Sequence, residues 1–216
     1  MCGNMKDIAI YGVGGFGHEV ACLVKLINKH SPTWNIVGFY DDNPEYRGKK
    51  NDYGIVLGGL DELNHYEGEL ALVVAIGNPV IVKNIVDGIT NTNIYFPNLF
   101  APDVMLMDEN RLSIGCGNII CSKCWLSCNV RMGDFNILNV GTTIGHDVQI
   151  GNYNSVMPSV NISGEVIIGD GNFFGVASVV LQQKKIGNNT VIGANSLIIK
   201  NTKDGRTYMG NPASAL

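Results

Sequence analysis

A histidine followed directly by an aspartate, in the segment "TTIGHDVQIG", is the part of this 216-residue chain best suited to acid–base chemistry. His146 is the only histidine after residue 65. A neutral imidazole, with a pKa of about 6.5, can accept a proton from an attacking amine or hydroxyl group. The neighbouring carboxylate can fix the ring tautomer or stabilise the imidazolium. We therefore predict that His146 is a general base and that Asp147 orients it.

A second segment, "IAIYGVGGFGHEV", combines an apolar strand, a glycine loop and the start of a helix, which together favour a phosphate-bearing ligand. Asp41 and Asp42 end the next predicted strand, about 24 residues later, where a ribose-binding acid is expected. On its own this arrangement is typical of an NAD-dependent oxidoreductase. The predicted ligand-binding glycines of the loop are Gly12, Gly14, Gly15 and Gly17.

The elements around this loop alternate between strands and helices over residues 1–97. The strands are apolar, which is typical of a parallel sheet covered by helices on both faces. We therefore predict an α/β domain over 1–97. The predicted elements are strands at 7–12, 34–42, 70–77 and 93–96, helices at 18–30, 60–66 and 80–89, and a polar loop at 43–55.

His146 lies in a segment whose apolar residues repeat every six positions. Every sixth residue from 114 to 198 is apolar in all fifteen cases, and the residue after it is glycine in eight of them. Flat strands repeat every second residue and helices about every 3.6 residues, so neither explains a period of six. Such a period is typical of a parallel β-helix in which three hexads form one coil. We interpret the glycines as corners with unusual backbone angles.

The coil length places a glycine beside the histidine. His146 is the third residue of its hexad and points outward, because Ile144 takes the inward position. One coil further along the chain, the same corner holds Gly164. Stacked coils lie about 4.8 Å apart. Gly164 therefore leaves room for a ligand beside the imidazole and can offer its backbone N–H to a carbonyl oxygen.

A β-helix of hexads after a small α/β domain resembles the hexapeptide-repeat acyltransferases, and more narrowly the bacterial enzymes that acetylate nucleotide-linked amino sugars or sialic acid. The resemblance runs from "IAIYGVGGFGHEV" to "MGNPA" and includes the triplet "GHD". It implies a Rossmann-like domain at 1–97, which holds the nucleotide sugar, and a left-handed β-helix at 98–216.

The same resemblance implies acetyl-CoA as co-substrate, bound in a groove between neighbouring β-helices of a homotrimer. It implies that His146 is the catalytic base, that Gly164 and Ala194 bind acetyl-CoA, and that Asn139 contacts the sugar. We predict direct attack on the thioester, since no Ser or Cys is evidently paired with the histidine. An asparagine ladder that stabilises a turn is the alternative for Asn139.

Three positions depart from the family pattern. Ser155 stands where many relatives have a second histidine, and Phe16 replaces a histidine of the glycine loop, with His18 displaced by two residues. Ser214 follows the terminal "NPA", where relatives often have Lys or Arg. These departures put the particular sugar in doubt, and the sequence does not determine the nucleotide, the acyl group or the acetylated atom. O-acetylation of sialic acid or a related sugar is therefore an alternative to N-acetylation.

Composition limits the remaining classes. A net charge of −4 and a pI near 5.5 disfavour a nucleic-acid partner. No leader and no long apolar segment is evident, so we expect a cytoplasmic protein without membrane insertion. Four of the six cysteines, Cys116, Cys121, Cys124 and Cys128, have a spacing unlike that of zinc sites, so we predict no metal. An NAD-dependent oxidoreductase and a non-catalytic nucleotide-sugar-binding protein remain alternatives of other classes.

Overall fold

The structure, a computed structural model, describes residues 5–216 and divides into two compact units. The first unit contains residues up to Gly77 together with Ile81–Pro97. The second contains Asn98–Leu216 together with Asn78–Val80. Cys2 and the first residues of the N-terminal segment lie outside the described residues.

The first unit is an α/β domain built on a six-stranded sheet in the order β3-β4-β2-β1-β5-β6. Its strands pair in parallel except β3 with β4. The inner strand β5 is buried along its whole length, as expected for a strand covered on both faces. The elements are β1 (Lys6–Tyr11), α1 (Gly15–His30), β2 (Trp34–Tyr40), a 3₁₀ turn (Pro44–Tyr46), β3 (Lys50–Asn51), β4 (Gly54–Gly58), α2 (Leu60–Asn64), β5 (Leu70–Val74), α3 (Pro79–Gly88) and β6 (Ile94–Tyr95).

The polar loop predicted at 43–55 is wrong. This segment contains the 3₁₀ turn, β3 and the start of β4, and β4 extends the sheet by pairing with β2. A Cβ atom on Gly54 would lie 3.2 Å from the ring of Phe39. Gly54 therefore begins β4 without a side chain. Because hydrophobic alternation depends on side chains, the sequence pattern does not indicate this strand.

The second unit is a stack of coils in which two-residue strands form three parallel sheets, and this confirms the predicted β-helix. Paired residues such as Ile119 and Ile137 are one 18-residue coil apart. The strands are β7 (Leu99–Phe100), β8 (Met105–Leu106), β9 (Ser113–Ile114), β10 (Ile119–Ile120), β11 (Trp125–Leu126), β12 (Arg131–Met132), β13 (Ile137–Leu138), β14 (Thr143–Ile144), β15 (Gln149–Ile150), β16 (Ser155–Val156), β17 (Asn161–Ile162), β18 (Ile167–Ile168), β19 (Phe173–Phe174), β20 (Val179–Val180), β21 (Lys185–Ile186), β22 (Val191–Ile192), β23 (Leu197–Ile198), β24 (Thr207–Gly210) and β25 (Ala213–Ala215); a 3₁₀ turn spans Glu109–Arg111.

The first coil begins before the hexad pattern does. Leu99 pairs with Ile119, 20 residues later, whereas Ser113 pairs with Arg131, 18 residues later. The first coil is therefore longer than those that follow. This extra length breaks the six-residue phase, so the sequence pattern starts only at 114.

The interpretation of the corner glycines is also wrong. Left-handed backbone falls on the fourth residue of the hexads, such as Asn129 and Asp147, both with φ of 58°. The glycine after the aliphatic residue is needed for a different reason. A Cβ atom on Gly145 would lie 2.5 Å from the backbone nitrogen of Gly164. The second position is thus glycine because the next coil approaches it closely.

Candidate active site

The β-helix presents His146 at a corner. Strand β14 ends with the fully buried Ile144, and two residues later the imidazole lies half-exposed, with 51% of its side chain accessible. The left-handed backbone of Asp147 turns its carboxylate back to the ring, so that Nδ1 lies 2.8 Å from Oδ2. Because an ionised carboxylate only accepts hydrogen bonds, Nδ1 carries a proton, and in the neutral ring Nε2 is then the nitrogen with the lone pair. This arrangement has the tautomer that a general base requires.

A residue that sequence reasoning missed fixes the carboxylate. Asn129, one coil before Asp147, donates from Nδ2 to Oδ1 over 3.0 Å. Hydrogen bonds from His146 and then from Asn129 lower the pKa of the Asp147 carboxyl group below its ordinary value. The carboxylate therefore stays ionised at neutral pH. The 18-residue coil could have identified Asn129, just as it identified Gly164.

The imidazole of His146 packs directly against Gly164. A Cβ atom at this position would lie 2.4 Å from Nε2 of His146, so only glycine leaves the ring its place. Within residues 5–216, the N–H of Gly164 has no hydrogen-bond acceptor. The structure therefore brings His146, Asp147 and Gly164 together, with the basic nitrogen against the residue that carries an unused amide.

The two other predicted β-helix residues lie on a different corner. Asn139 and Ala194 follow β13 and β22, which belong to the eight-stranded sheet of the β-helix (β25-β24-β22-β19-β16-β13-β10-β7). His146 and Gly164 follow β14 and β17 of its six-stranded sheet (β23-β20-β17-β14-β11-β8). Oδ1 of Asn139 accepts the N–H of Val140 over 2.7 Å. Ala194 is exposed. One chain does not bring these two residues to the histidine.

The glycine loop of the first unit has two kinds of glycine. Gly12 has φ of +105°, and a Cβ atom on Gly17 would lie 2.0 Å from the carbonyl oxygen of Gly12, so these two serve the packing of the loop. Cβ atoms on Gly14 and Gly15 would meet nothing within 4 Å. The space above these two residues, at the N-terminus of α1, is open to a ligand.

Asp41 is held by the backbone around it. Its Oδ2 accepts the N–H of Val13 in the glycine loop over 3.1 Å, and its Oδ1 accepts the N–H of Asn43 over 3.0 Å. Each oxygen of Asp41 thus accepts one backbone N–H. Asp41 shapes the loop, and its contact with a ribose stays a prediction.

Asp42 is better placed for a ligand. Its Oδ1 accepts the hydroxyl of Tyr11 over 2.6 Å and the N–H of Leu60 over 3.0 Å, and the described residues offer no partner to Oδ2. Burial and then the hydrogen bond to Asp42 raise the pKa of Tyr11. Asp42 also lines a cavity of about 240 Å³, together with Arg47 and Glu62. Its free oxygen can therefore meet a bound molecule.

The departures from the family pattern have structural consequences. His18 stacks on Tyr53, with ring centroids 5.0 Å apart, and its Nε2 lies 3.2 Å from Nδ2 of Asn51. It is thus engaged by packing rather than replacing the histidine absent at Phe16. Ser155 is buried in β16.

The described cysteines are free, and neither a metal site nor a membrane-spanning helix is found among the described residues. Cys22, Cys116, Cys121, Cys124 and Cys128 are free thiols, and burial raises the pKa of Cys124 to about 11. Within residues 5–216, no group of three or more His, Cys, Asp or Glu side chains is placed to hold a metal ion. In the same range, every helix is too short or too polar to cross a membrane.

In its fold, the chain resembles the hexapeptide-repeat acetyltransferases. Residues 7–89 match the family described as the PglD N-terminal domain. The chain is similar to the acetyltransferase domain of PglB from Neisseria gonorrhoeae FA1090, with 27% identity, a TM-score of 0.87, and coverage of 98% of this chain and 100% of that one. The PglB domain has also been solved in complex with acetyl coenzyme A.

Two further solved structures share the fold. WeeI from Acinetobacter baumannii AYE is 25% identical, with a TM-score of 0.86, covering 99% of this chain and all of that one. PerB from Caulobacter crescentus, solved with CoA and GDP-perosamine, is 21% identical, with a TM-score of 0.84 and coverage of 99% and 98%. The sequence has no match among curated proteins. The predicted resemblance to hexapeptide-repeat sugar acetyltransferases is confirmed by the family match and these structures.

Proposed function

We propose that the protein transfers the acetyl group of acetyl-CoA to the amino group of a nucleotide-linked sugar. The observation that carries this proposal is the imidazole of His146, with Nδ1 bound to Asp147 over 2.8 Å and Nε2 against Gly164. Full-length similarity to the PglB acetyltransferase domain, which has been solved with acetyl coenzyme A, supports the choice of acetyl donor.

In the proposed reaction the sugar nitrogen attacks the carbonyl carbon of the thioester. A C–N bond forms, the C–S bond breaks, and CoA leaves as its thiol. The proton that the nitrogen must lose passes to Nε2 of His146 and from there to the leaving sulfur. Asp147 stabilises the imidazolium formed in between. The N–H of Gly164 is the donor we assign to the developing oxyanion, an interaction worth several kcal/mol in such sites.

The nucleotide part of the acceptor is assigned to the first unit. Gly14 and Gly15 leave open space at the N-terminus of α1, where backbone N–H groups favour a phosphate. Oδ2 of Asp42 is the group that can accept a hydrogen bond from the ribose or the base. Asp41 supports the same loop by holding Val13.

A second copy of the chain completes the donor site in this proposal. Asn139 and Ala194 lie on a corner that His146 does not share. A homotrimer in which that corner of one chain faces His146 of the next would place all the proposed residues along one groove. We also assign the reaction to the cytoplasm, where the free thiols of the described cysteines stay reduced.

The test is release of CoA thiol from acetyl-CoA in the presence of nucleotide sugars. We expect release with amino sugars and none with the matched hydroxy sugars. Release only with sialic acids would replace N-acetylation by O-acetylation. Absence of release with every sugar, together with tight binding of NAD, would contradict the proposal and favour an oxidoreductase.

A further inference from the structure

A cavity of about 540 Å³ borders the carboxylate that orients the proposed base. All of its lining residues belong to the second unit. Two of them are arginines, although the whole protein carries a net charge of −4. The lining residues are Arg111, Asn129, Arg131, Asp147 and Gln149.

The coil register places these groups side by side. Arg131 in β12 pairs with Gln149 in β15, so their side chains leave the same face of the five-stranded sheet on neighbouring coils. Both point outward because the next residues, Met132 and Ile150, are buried in the core. Arg111 ends the 3₁₀ turn just before β9, the strand that pairs with β12 on its other side.

Positive charge exceeds negative charge in this cavity, where two arginines face one carboxylate, that of Asp147. Among the described residues, the guanidinium of Arg131 has neither an ion-pair nor a hydrogen-bond partner. The Nε of Arg111 lies 3.8 Å from Asp108, but its side chain is 70% exposed, and such surface pairs contribute little. The Asp147 carboxylate accepts hydrogen bonds from His146 and Asn129 rather than from an arginine. The guanidinium of Arg131 therefore keeps its donors available to a bound molecule.

We propose that this cavity is a subsite for an oxyanion, the phosphate or carboxylate group of the acceptor substrate. A guanidinium presents paired N–H donors that match such oxygens, and the amide of Gln149 adds a further donor. The inference rests on the proposed function, since the acceptor in that reaction carries more than one anionic group, and only one of them is assigned to Gly14 and Gly15. An anion bound here lies next to Asp147, and so it sets the distance between the acceptor and the base.

Replacement of the unpaired arginine tests the subsite. Arg131→Gln removes the charge and keeps a polar side chain. We expect the KM for the nucleotide amino sugar to rise roughly 10-fold or more, because a hydrogen bond to a charged group is lost, while the KM for acetyl-CoA is unchanged. The matched control is Lys185→Gln, which removes a charge from the same sheet face three coils away and should leave both KM values unchanged.

Binding of inorganic pyrophosphate, measured by calorimetry, provides a readout that does not depend on activity. We expect the wild type and Lys185→Gln to bind it alike and Arg131→Gln to bind it at least about 10-fold more weakly.

Equal binding by all three proteins, with an unchanged acceptor KM, would overturn the subsite. A rise only in the KM for acetyl-CoA would assign the anion to CoA and would also overturn it. A dependence on sialic acid alone would identify the anion as a carboxylate. If the wild type acetylates no sugar but pyrophosphate binding still requires Arg131, the proposed function fails and the subsite stands.

Discussion

Two corners of the same β-helix have similar backbones and different chemistry. At the corner after the five-stranded sheet, the third residue of the hexad donates its N–H to a side-chain oxygen at the same corner of the next coil, over 2.7–2.9 Å. At the corner after the six-stranded sheet the residue that would supply this oxygen to His146 is Gly164. The successive acceptors of the first corner are Asp134, Asn152, Asp170, Asn188 and Asp204.

The difference shows how a structural repeat gives rise to a site. Oδ1 of Asn152 lies 2.3 Å from the place of a Cβ atom on Gly133. The side chains that accept these N–H groups therefore fill the first corner. At the second corner the imidazole of His146 fills the space above Gly164, and the amide of Gly164 has no acceptor in the described part of the chain. In the described part of the chain, neither His146 nor Gly164 donates its N–H to a side chain, so the absence of such caps leaves room, free donors and a base together. The first corner contributes stability and the second contributes the proposed chemistry.

The largest expected effect is that of His146→Ala. Loss of the general base should lower kcat by at least about 100-fold, because the attacking nitrogen then loses its proton to water. The measurement is CoA thiol release with a nucleotide amino sugar. Asn152→Ala, a change at the same hexad position of the other corner, is the matched control and should retain kcat. A rate for His146→Ala close to that of the wild type would remove the histidine from the mechanism.

Gly164→Ala should be the next most damaging change. The new methyl group would occupy the place of Nε2, and the imidazole can rotate into solvent to avoid it, so the fold should survive. We expect kcat to fall roughly 10- to 100-fold, since misplacement of a catalytic group by about 1 Å is that costly. Thiol release gives the rate, and the melting temperature checks the fold. An unchanged kcat would show that the ring does not act from its position over Gly164.

Asp147→Asn tests the orientation of the ring and its pH dependence. An amide no longer requires a proton on Nδ1, so kcat should fall roughly 10-fold or more. Because the folded protein lowers the pKa of Asp147, its contribution to stability is present above the ordinary pKa of 3.8 and is lost as the pH falls through the lowered value. Urea unfolding should therefore separate wild type from variant at neutral pH and not in strong acid. A constant difference across this range would contradict the assignment.

The smallest effect is expected from Asn152→Ala in the capped corner. This change leaves the N–H of Asp134 without its acceptor and removes the contact from Nδ2 to Asp170. We expect a loss of about 1–2 kcal/mol in the free energy of unfolding. The melting temperature should then fall by roughly 2–8 °C. A large loss of activity with an unchanged melting temperature would reverse the roles of the two corners.

Sequence predicted the β-helix well because its core repeats without insertion from 114 to 198. The sequence did not predict the first coil or β4, because neither follows the pattern of apolar side chains that identifies the other elements. The first coil has a 20-residue pairing between Leu99 and Ile119, and in β4 Gly54 packs against the ring of Phe39. The corner glycines were misread because composition identifies a glycine but not whether φ or a close neighbour requires it.

The candidate site was predictable where the coil length sets distances. Counting 18 residues from His146 led to Gly164, and the same count back from Asp147 would have led to Asn129. No such count applies to Asp41 and Asp42, whose different roles depend on hydrogen bonds to Val13 and Tyr11 across the sheet. These hydrogen bonds depend on tertiary contacts. Two adjacent aspartates in a sequence do not show which partner each will have.

The central claim, that His146 presents a basic Nε2 over Gly164, is tested most directly by nitrogen NMR of the histidine ring in the folded protein. At a pH where the ring is neutral, we predict a proton on Nδ1, held by Asp147, and a lone pair on Nε2. The Asp147→Asn variant should lose this fixed tautomer. A wild-type ring with its proton on Nε2 would contradict the account, because that nitrogen could not then accept a proton from the substrate.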